Sequence, residues 1–316
     1  DYSFPDLEIE RSVLEPLGHE LVGFKEKAPA AELRERVADA DAVIVQFAAV
    51  DATVIQAMRQ ARVIVRYGIG VDNVALAAAR NRAIPVVNVP DYCIDEVADH
   101  TLALLLAATR QIVANDHFVR SGRWGLSGDL QRMRTLRDLT VGVIGFGRIG
   151  REVVARLVGF KCRMLVHDPQ VSAAEITAAG GVPATLEELL AQSHAVTLHC
   201  PSNEATRGLF DRRAFARVRP GTILINVARG DLVDAAALID AIDSGQISDA
   251  ALDVFATEPI PADHPIRERP GVILQSHIAS ASVPAVRKLR ETVARAAAAA
   301  LTGQPLSNVV NGVVSN

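Results

Sequence analysis

The sequence predicts an α/β protein built from two parallel-sheet domains, Rossmann-like and flavodoxin-like, one inserted into the other. Three observations predict it. Short apolar runs alternate with helical patterns over most of the chain. That alternation is interrupted by a long helical stretch beginning near Asp95 and restarts at Thr140. A glycine-rich turn, Gly145-Phe-Gly-Arg-Ile-Gly150, follows the first strand of the second series, in the middle of a 316-residue chain rather than near its start. That length suits two domains.

The elements follow in order. Phe4 onward reads as the loop and helix that follow a strand, so a strand is expected upstream of Asp1. Strands are predicted at 42–45, 63–65 and 84–89, with helices at 54–59 and 74–82. A long helix then starts near Asp95, whose side chain is placed to cap the amides of Val97 or Ala98, and runs through Leu102, Leu105 and Ala108 towards Gln111. It reads as the bridge into the second domain. From Thr140, strands are predicted near 141–144, 164–166, 196–199, 223–226, 251–254 and 272–275. Thr185-Leu-Glu-Glu188 has the form of a capping box, and Asp234 opens a helix that Gly245 closes. Residues 284–301 make a last Ala-rich helix that is expected to cross back to the first domain.

The glycine turn carries chemistry. In its strand-to-helix context, Gly145 permits the tight turn, Gly147 lets backbone amides approach a pyrophosphate, and Gly150 lets the helix pack closely on its strand. The helix N-terminus then faces the anion. Asp168, at the end of the next apolar run, suits the ribose hydroxyls and repels a 2′-phosphate, while Pro169-Gln170 offers no compensating cation. NAD is therefore expected over NADP. Arg148, inside the loop, is in reach of the pyrophosphate or else an ordinary solvent-facing helix start. The expected division is a discontinuous substrate domain of residues 1–98 with 285–316, and an NAD-binding domain of residues 99–284.

Composition narrows the class. With 49% hydrophobic and 22% charged residues, the balance is that of an ordinary soluble globular protein. A formal net charge of −4 and a pI near 6.1 argue against a nucleic-acid surface, and the basic residues are scattered. Three cysteines, Cys93, Cys162 and Cys200, fit no disulfide framework and point to a reducing cytoplasm. The apolar stretch around 102–108 is too short to span a bilayer, and no signal peptide is evident. His199 beside Cys200 suggests a metal pair, but adjacent strand residues face opposite ways and no third ligand has suitable spacing, so no metal is expected.

In open parallel sheets, ligands sit beyond the carboxyl ends of the strands. Arg229, Asp253 with Glu258 just beyond, and His277 stand at such ends. Each alone has an ordinary explanation: a surface ion pair, a loop carboxylate, a satisfied histidine. Together with the glycine loop they fit hydride transfer between a nicotinamide and a 2-oxo acid, which needs a proton donor for the developing alkoxide and a cation for the carboxylate. Histidine is the residue type suited to exchanging a proton near neutral pH, which is the role open to His277; Glu258 can orient it, and Arg229 has the planar fork that binds a carboxylate bidentately.

In these motifs the chain resembles the D-isomer-specific 2-hydroxyacid dehydrogenase family. They occur in order over nearly its whole length: Gly68-Ile-Gly-Val-Asp-Asn73, Asn88-Val-Pro90, Glu96-Val-Ala-Asp-His100, the glycine loop, Thr206-Arg-Gly208, Asn226-Val-Ala-Arg-Gly230, Asp253-Val-Phe-Ala-Thr-Glu-Pro259 and His277. The resemblance implies Arg229, Glu258 and His277 as the catalytic set. It implies cofactor contacts along Gly145, Phe146, Gly147, Arg148, Ile149 and Gly150, at Asp168, along Cys200, Pro201 and Thr206, at Val227 and Ala228, and at Asp253 and His277. It implies that the backbone around Gly68 and Ile69 holds the substrate carboxylate, with Arg66 and Tyr67 beside it.

Arg66-Tyr67-Gly68 and Asp91-Tyr-Cys-Ile-Asp-Glu96 resemble the branch of the C-terminal-binding-protein corepressors and their bacterial enzyme relatives. Where those corepressors carry Trp, three residues after the histidine, this chain has Ser280, as in many glyoxylate and hydroxypyruvate reductases. A small polar acid of the glyoxylate, hydroxypyruvate or phosphohydroxypyruvate type is therefore expected. Two alternatives stand beside this: an NAD(H)-sensing, corepressor-like binding protein with little turnover, and a phosphite-type dehydrogenase. With the sequence ending at Asn316, the regulatory domain of long phosphoglycerate dehydrogenases is not expected. Trp124 lies in a region that pairs subunits in this family, so core packing or the interface of a homodimer formed through the NAD-binding domain is its expected role.

Overall fold

A computed structural model describes residues 1–314. Among them are ten strands: β1 (Ala42–Val45), β2 (Val63–Arg66), β3 (Val86–Val87), β4 (Thr140–Ile144), β5 (Arg163–His167), β6 (Val182–Pro183), β7 (Ala195–Leu198), β8 (Thr222–Asn226), β9 (Ile247–Leu252) and β10 (Val272–Leu274). Twelve α-helices accompany them: α1 (Glu8–Leu14), α2 (Ala30–Val37), α3 (Ala52–Ala57), α4 (Leu76–Asn81), α5 (Ile94–Thr109), α6 (Ile112–Arg120), α7 (Arg148–Val158), α8 (Ala173–Ala178), α9 (Leu186–Gln192), α10 (Arg212–Phe215), α11 (Ala235–Asp243) and α12 (Val283–Leu301).

The chain divides into two compact units, Asp1–Tyr92 with Ser282 onward, and Cys93–Ala281. Sequence reasoning placed these crossings at 98/99 and 284/285. Both fall earlier because each long helix belongs whole to one unit. α5 packs on α7 and on β8 and β9, while Ser282 caps α12 by accepting from the Ala285 amide.

The first unit is a three-stranded parallel sheet in the order β1-β2-β3. Alternation along β2 separates its two faces. Val63 and Val65 pack with Leu14 of α1 and with Leu289 and Val293 of α12, whereas Ile64 packs with Val37, Val54, Ile55 and Met58 from α2, α3 and the residue after α3. β3 is shorter than the expected 84–89. Its neighbours are held by non-adjacent chain instead: the Asn88 amide donates to Asn308 O and the Val89 amide to Gly68 O. The C-terminal segment also closes on this edge. Asn311, fully buried, accepts from the Val86 amide through Oδ1 and donates from Nδ2 to Ile84 O.

The second unit is a seven-stranded, wholly parallel sheet in the order β10-β9-β8-β7-β4-β5-β6. The central strands β4, β7 and β8 are buried along their whole length, which is why they read as unbroken apolar runs. Strand order reverses between β4 and β7, and a doubly wound sheet offers its ligand crevice at the carboxyl ends of such a pair. The Thr185–Glu188 capping box and the Asp234 cap both form.

Two local expectations are corrected. Asp95 does not cap α5, which begins at Ile94; it lies inside the first turn and pairs with Arg156 of α7 at 2.6 Å, alongside Asp99 at 2.6 Å. The helix does not continue smoothly to Gln111 either. It ends at Thr109, and Gln111 takes a left-handed conformation (φ 52°), with its side-chain amide donating to Ala108 O and Asp249 Oδ1. α6 then leaves in a new direction.

Candidate active site

The site in the second unit is built on strand ends. β4 runs into the glycine loop, where Gly145 has φ 94° and a Cβ there would stand 2.5 Å from the Cys200 backbone nitrogen. A Cβ at Gly150 would meet Gly145 O at 2.1 Å, so α7 seats directly on the end of its strand. At Gly147 a Cβ would meet no protein atom within 4 Å. The loop is thus crowded beneath and open above, and Gly147, the N-cap of α7, provides no side chain to take its first amides. That arrangement fits a pyrophosphate. Phe146 is fully buried under Arg151, whose guanidinium lies 4.5 Å from the ring centroid. Its side chain therefore anchors the loop, and only its backbone faces outward chemistry. Asp168, ending β5's extension, accepts the Phe146 amide at 2.7 Å and the Gln170 amide at 2.8 Å. Arg148 and Gly147 are exposed, and Ile149 is half-buried.

Glu258 and His277 meet. Glu258 Oε2 lies 2.7 Å from His277 Nδ1, and its Oε1 accepts the Phe255 amide at 2.9 Å. Burial favours the neutral carboxyl, but the hydrogen bonds from His277 and Phe255, together with the His277 and Arg229 charges, outweigh it and hold Glu258 below its ordinary range. With Nδ1 engaged, Nε2 is the ring nitrogen left for other chemistry. His277 is also in the left-handed region, φ 58°, a conformation disfavoured for a residue with a Cβ. The structure that holds it there is Asp253, fully buried. Its carbonyl accepts the His277 amide at 2.7 Å, while its two carboxylate oxygens accept the Ile278 and Ala279 amides at 2.9 Å each. The resemblance implies a cofactor contact at Asp253; in the structure its carboxylate ties down the histidine loop.

Arg229 follows β8, and two features outside the expected set position it. Asn226, buried at 1% exposure, donates to Arg229 O and accepts the Ala228 amide. A Cβ on Gly230 would stand 1.9 Å from the Phe255 carbonyl carbon, so this glycine lets the Arg229 loop abut the loop that carries Glu258. Both residues lie inside motifs visible in the sequence, yet nothing local marks the partner. His100 of α5 was likewise unassigned; its Nε2 is buried, 4.0 Å from Asp253 Oδ1.

The remaining residues fall as follows. Cys200 is buried and its thiol is pushed up to about 11 by that burial, so it stays neutral. Thr206 spends its hydroxyl inside its own loop, donating to Pro201 O. Val227 is buried and Ala228 and Ser280 are half-buried. Burial pushes His199 down to about 3, and its Nε2 meets Thr197 Oγ1 at 2.9 Å. Among the described residues, no group of three or more His, Cys, Asp or Glu is placed to hold a metal, and no helix is long and apolar enough to cross a membrane. Trp124 is 90% exposed in the chain, which removes core packing as its role.

In the first unit, Arg66, Tyr67, Gly68 and Ile69 stand at the carboxyl end of β2. Gly68 has φ 142° and lies beneath the Arg66 guanidinium, and Asn88 Nδ2 donates to Ile69 O at 2.6 Å. The Tyr67 side chain corrects one expectation. It is buried, and its hydroxyl donates inward to Glu10 at 2.9 Å, so only its backbone remains for a ligand.

A doubly wound sheet with a pyrophosphate-type loop at its switch point is the architecture of a dinucleotide-binding α/β protein, and a carboxylate–histidine pair stands at its neighbouring strand ends. The family model for the D-isomer specific 2-hydroxyacid dehydrogenase NAD-binding domain matches residues 102–279, and the chain belongs to this family. It is 40% identical over 90% of its length to the D-3-phosphoglycerate dehydrogenase of Mycobacterium tuberculosis, of which it covers 54%. The chain thus spans about half the length of the phosphoglycerate dehydrogenases it matches. It is 36% identical to the glyoxylate reductase of Korarchaeum cryptofilum over 92% of this chain and 90% of that one. The D-lactate dehydrogenase of Aquifex aeolicus, solved with NAD and lactic acid, superposes with a TM-score of 0.85 at 26% identity, covering 95% of this chain and 94% of the other.

Proposed function

We propose that this chain is an NAD-dependent D-2-hydroxyacid dehydrogenase that works as a 2-oxo acid reductase on a small polar acid of the glyoxylate, hydroxypyruvate or phosphohydroxypyruvate type. The observation that carries the reading is the His277–Glu258 pair at 2.7 Å. Residues 93–281 form the cofactor unit in this reading. The glycine loop and the first amides of α7 would hold the pyrophosphate, Asp168 the adenosine ribose, and the segments at 200–206, 227–228 and 253 the remaining length of the cofactor. When bound, the nicotinamide supplies or accepts the hydride at the substrate's C2.

The chain's own groups do the rest. Glu258, kept ionised, meets His277 Nδ1 and fixes its ring. His277 Nε2 then gives a proton to the carbonyl oxygen in reduction and takes it back in oxidation. Arg229 polarises that oxygen and binds the carboxylate. In the other unit, Arg66 and the backbone of Gly68 and Ile69 are assigned to substrate binding. NADH is preferred over NADPH because the Asp168 carboxylate repels a 2′-phosphate. The protein pairs with a second copy through the second unit, where Ile112, Trp124, Leu126 and Leu130 expose apolar surface on one stretch of chain.

The test is an NADH-oxidation screen with glyoxylate, hydroxypyruvate, pyruvate, phenylpyruvate and phosphohydroxypyruvate, run beside His277→Ala. Turnover with at least one acid and a loss of about a hundredfold or more in the variant is expected. Intact NADH binding with no oxidation of any acid would overturn the enzyme reading in favour of cofactor sensing.

A further inference from the structure

A buried charged cluster in the first unit is used by nothing above. Glu10 of α1 is fully buried and Arg290 of α12 has a side chain 7% exposed. Arg290 binds both Glu10 oxygens, Nε to Oε1 at 2.9 Å and Nη2 to Oε2 at 2.7 Å. Nη2 also reaches Asp6, and the guanidinium lies 4.9 Å from the Phe4 ring centroid. The one neutral member is Tyr67. Its hydroxyl donates to Glu10 Oε1 at 2.9 Å, and its ring stands edge-on to Phe4 at 5.2 Å. Burial and the Glu10 charge both push the Tyr67 hydroxyl up, so it remains a donor.

Taking an ion pair out of water is costly and gains little stability over an apolar core, and its location here points elsewhere. Tyr67 lies between Arg66 and Gly68. Its backbone amide continues the sheet to Val45 O, and the Gly68 amide turns back on Arg66 O. The outer part of the loop is fastened from the β3 side, by Asn88 to Ile69 O and by the Val89 amide to Gly68 O. The cluster fastens it from beneath.

We propose that Tyr67 is a positioning residue: through Glu10 and Arg290 it locks the end of β2, so that Arg66 and the Gly68–Ile69 backbone present one fixed geometry to the carboxylate of a small acid. The proposal rests on the substrate-binding role given to Arg66 above. Tyr67→Phe is the informative change, because Arg290 still covers both Glu10 oxygens and the ring still packs on Phe4. With the acid found by the screen, Tyr67→Phe raises KM about tenfold, the scale of one lost hydrogen bond to a charged acceptor. It leaves kcat and the NADH dissociation constant within about twofold. In an Arg66→Ala background the same change has a clearly smaller effect than in the parent, because only the Gly68–Ile69 part of the positioning remains to be lost. If Arg66→Ala raises KM while Tyr67→Phe alters only the melting temperature, or if the two effects add, the positioning role is overturned and the substrate role of Arg66 stands. If Arg66→Ala itself leaves KM unchanged, the substrate role falls and the proposal falls with it.

Discussion

Gly230→Ala adds one methyl group where two loops touch. That Cβ would lie 1.9 Å from the Phe255 carbonyl carbon, 2.3 Å from the Ala256 nitrogen and 2.3 Å from Phe255 O, all backbone atoms that cannot rotate away. Ordinary contact begins near 3.4 Å, so the Arg229 loop and the Phe255–Glu258 loop must part by about 1.5 Å. Overpacking of this kind costs about 1–3 kcal/mol of stability. The larger effect falls on geometry. Phe255 supplies the amide that holds Glu258 Oε1, so a shift there separates Glu258 and His277 from Arg229, and a misplacement of about 1 Å costs on the order of a hundredfold in rate. The expected result is a fall of about a hundredfold in kcat/KM with NADH affinity changed far less, since the pyrophosphate loop is untouched. Steady-state kinetics with cofactor titration by fluorescence reads both. A variant that folds, binds NADH and turns over as the parent does would falsify the claim that this contact sets the geometry of Arg229, Glu258 and His277.

Four further outcomes are expected. His277→Ala loses about a hundredfold or more in kcat; retained turnover would remove the imidazole from the chemistry. Glu258 has a folded pKa below its ordinary value, so its contribution to stability is present above the ordinary carboxylate range and is lost as pH falls through the depressed value. Melting curves of the parent should therefore approach those of Glu258→Gln at acid pH and separate above it; parallel curves across the range would refute this. Asp168→Ala lowers the preference for NADH over NADPH in kcat/KM by about tenfold or more, the scale of one removed like-charge contact, and an unchanged ratio would place selectivity elsewhere. Trp124→Asp combined with Leu130→Asp converts a dimer to a monomer in light scattering at micromolar protein; a parent already monomeric there would refute the pairing.

What the sequence made legible is what short stretches of chain decide. Central strands read as apolar runs because both faces of β4, β7 and β8 are covered, and Thr185 and Asp234 cap helices using amides three residues away. The glycine loop was legible because its three glycines lie within six residues, although one of its crowding partners, Cys200, is far along the chain. Asp95, Gln111 and Tyr67 were misread because their partners, Arg156, Asp249 and Glu10, lie far along the chain. Trp124 was left between two roles since an indole looks the same in a sequence whether it is covered or bare. Of the site, residue types at strand ends suggested acid–base chemistry, but not the left-handed backbone at His277, which depends on three hydrogen bonds from residues 277–279 to Asp253. Gly230 reads as one more glycine until the second loop is seen against it.

Asn311, which closes the edge of the first sheet, is followed by Gly312, the context in which asparagine most readily deamidates. The reaction needs the side chain to swing onto the following peptide nitrogen. Here the carboxamide is pinned at both ends, to the Val86 amide and Ile84 O, and lies out of water. Were conversion to occur, a carboxylate oxygen would replace the donor facing Ile84 O, placing acceptor against acceptor with a buried charge. The clamp that closes the sheet edge thus also holds the carboxamide away from the geometry deamidation requires.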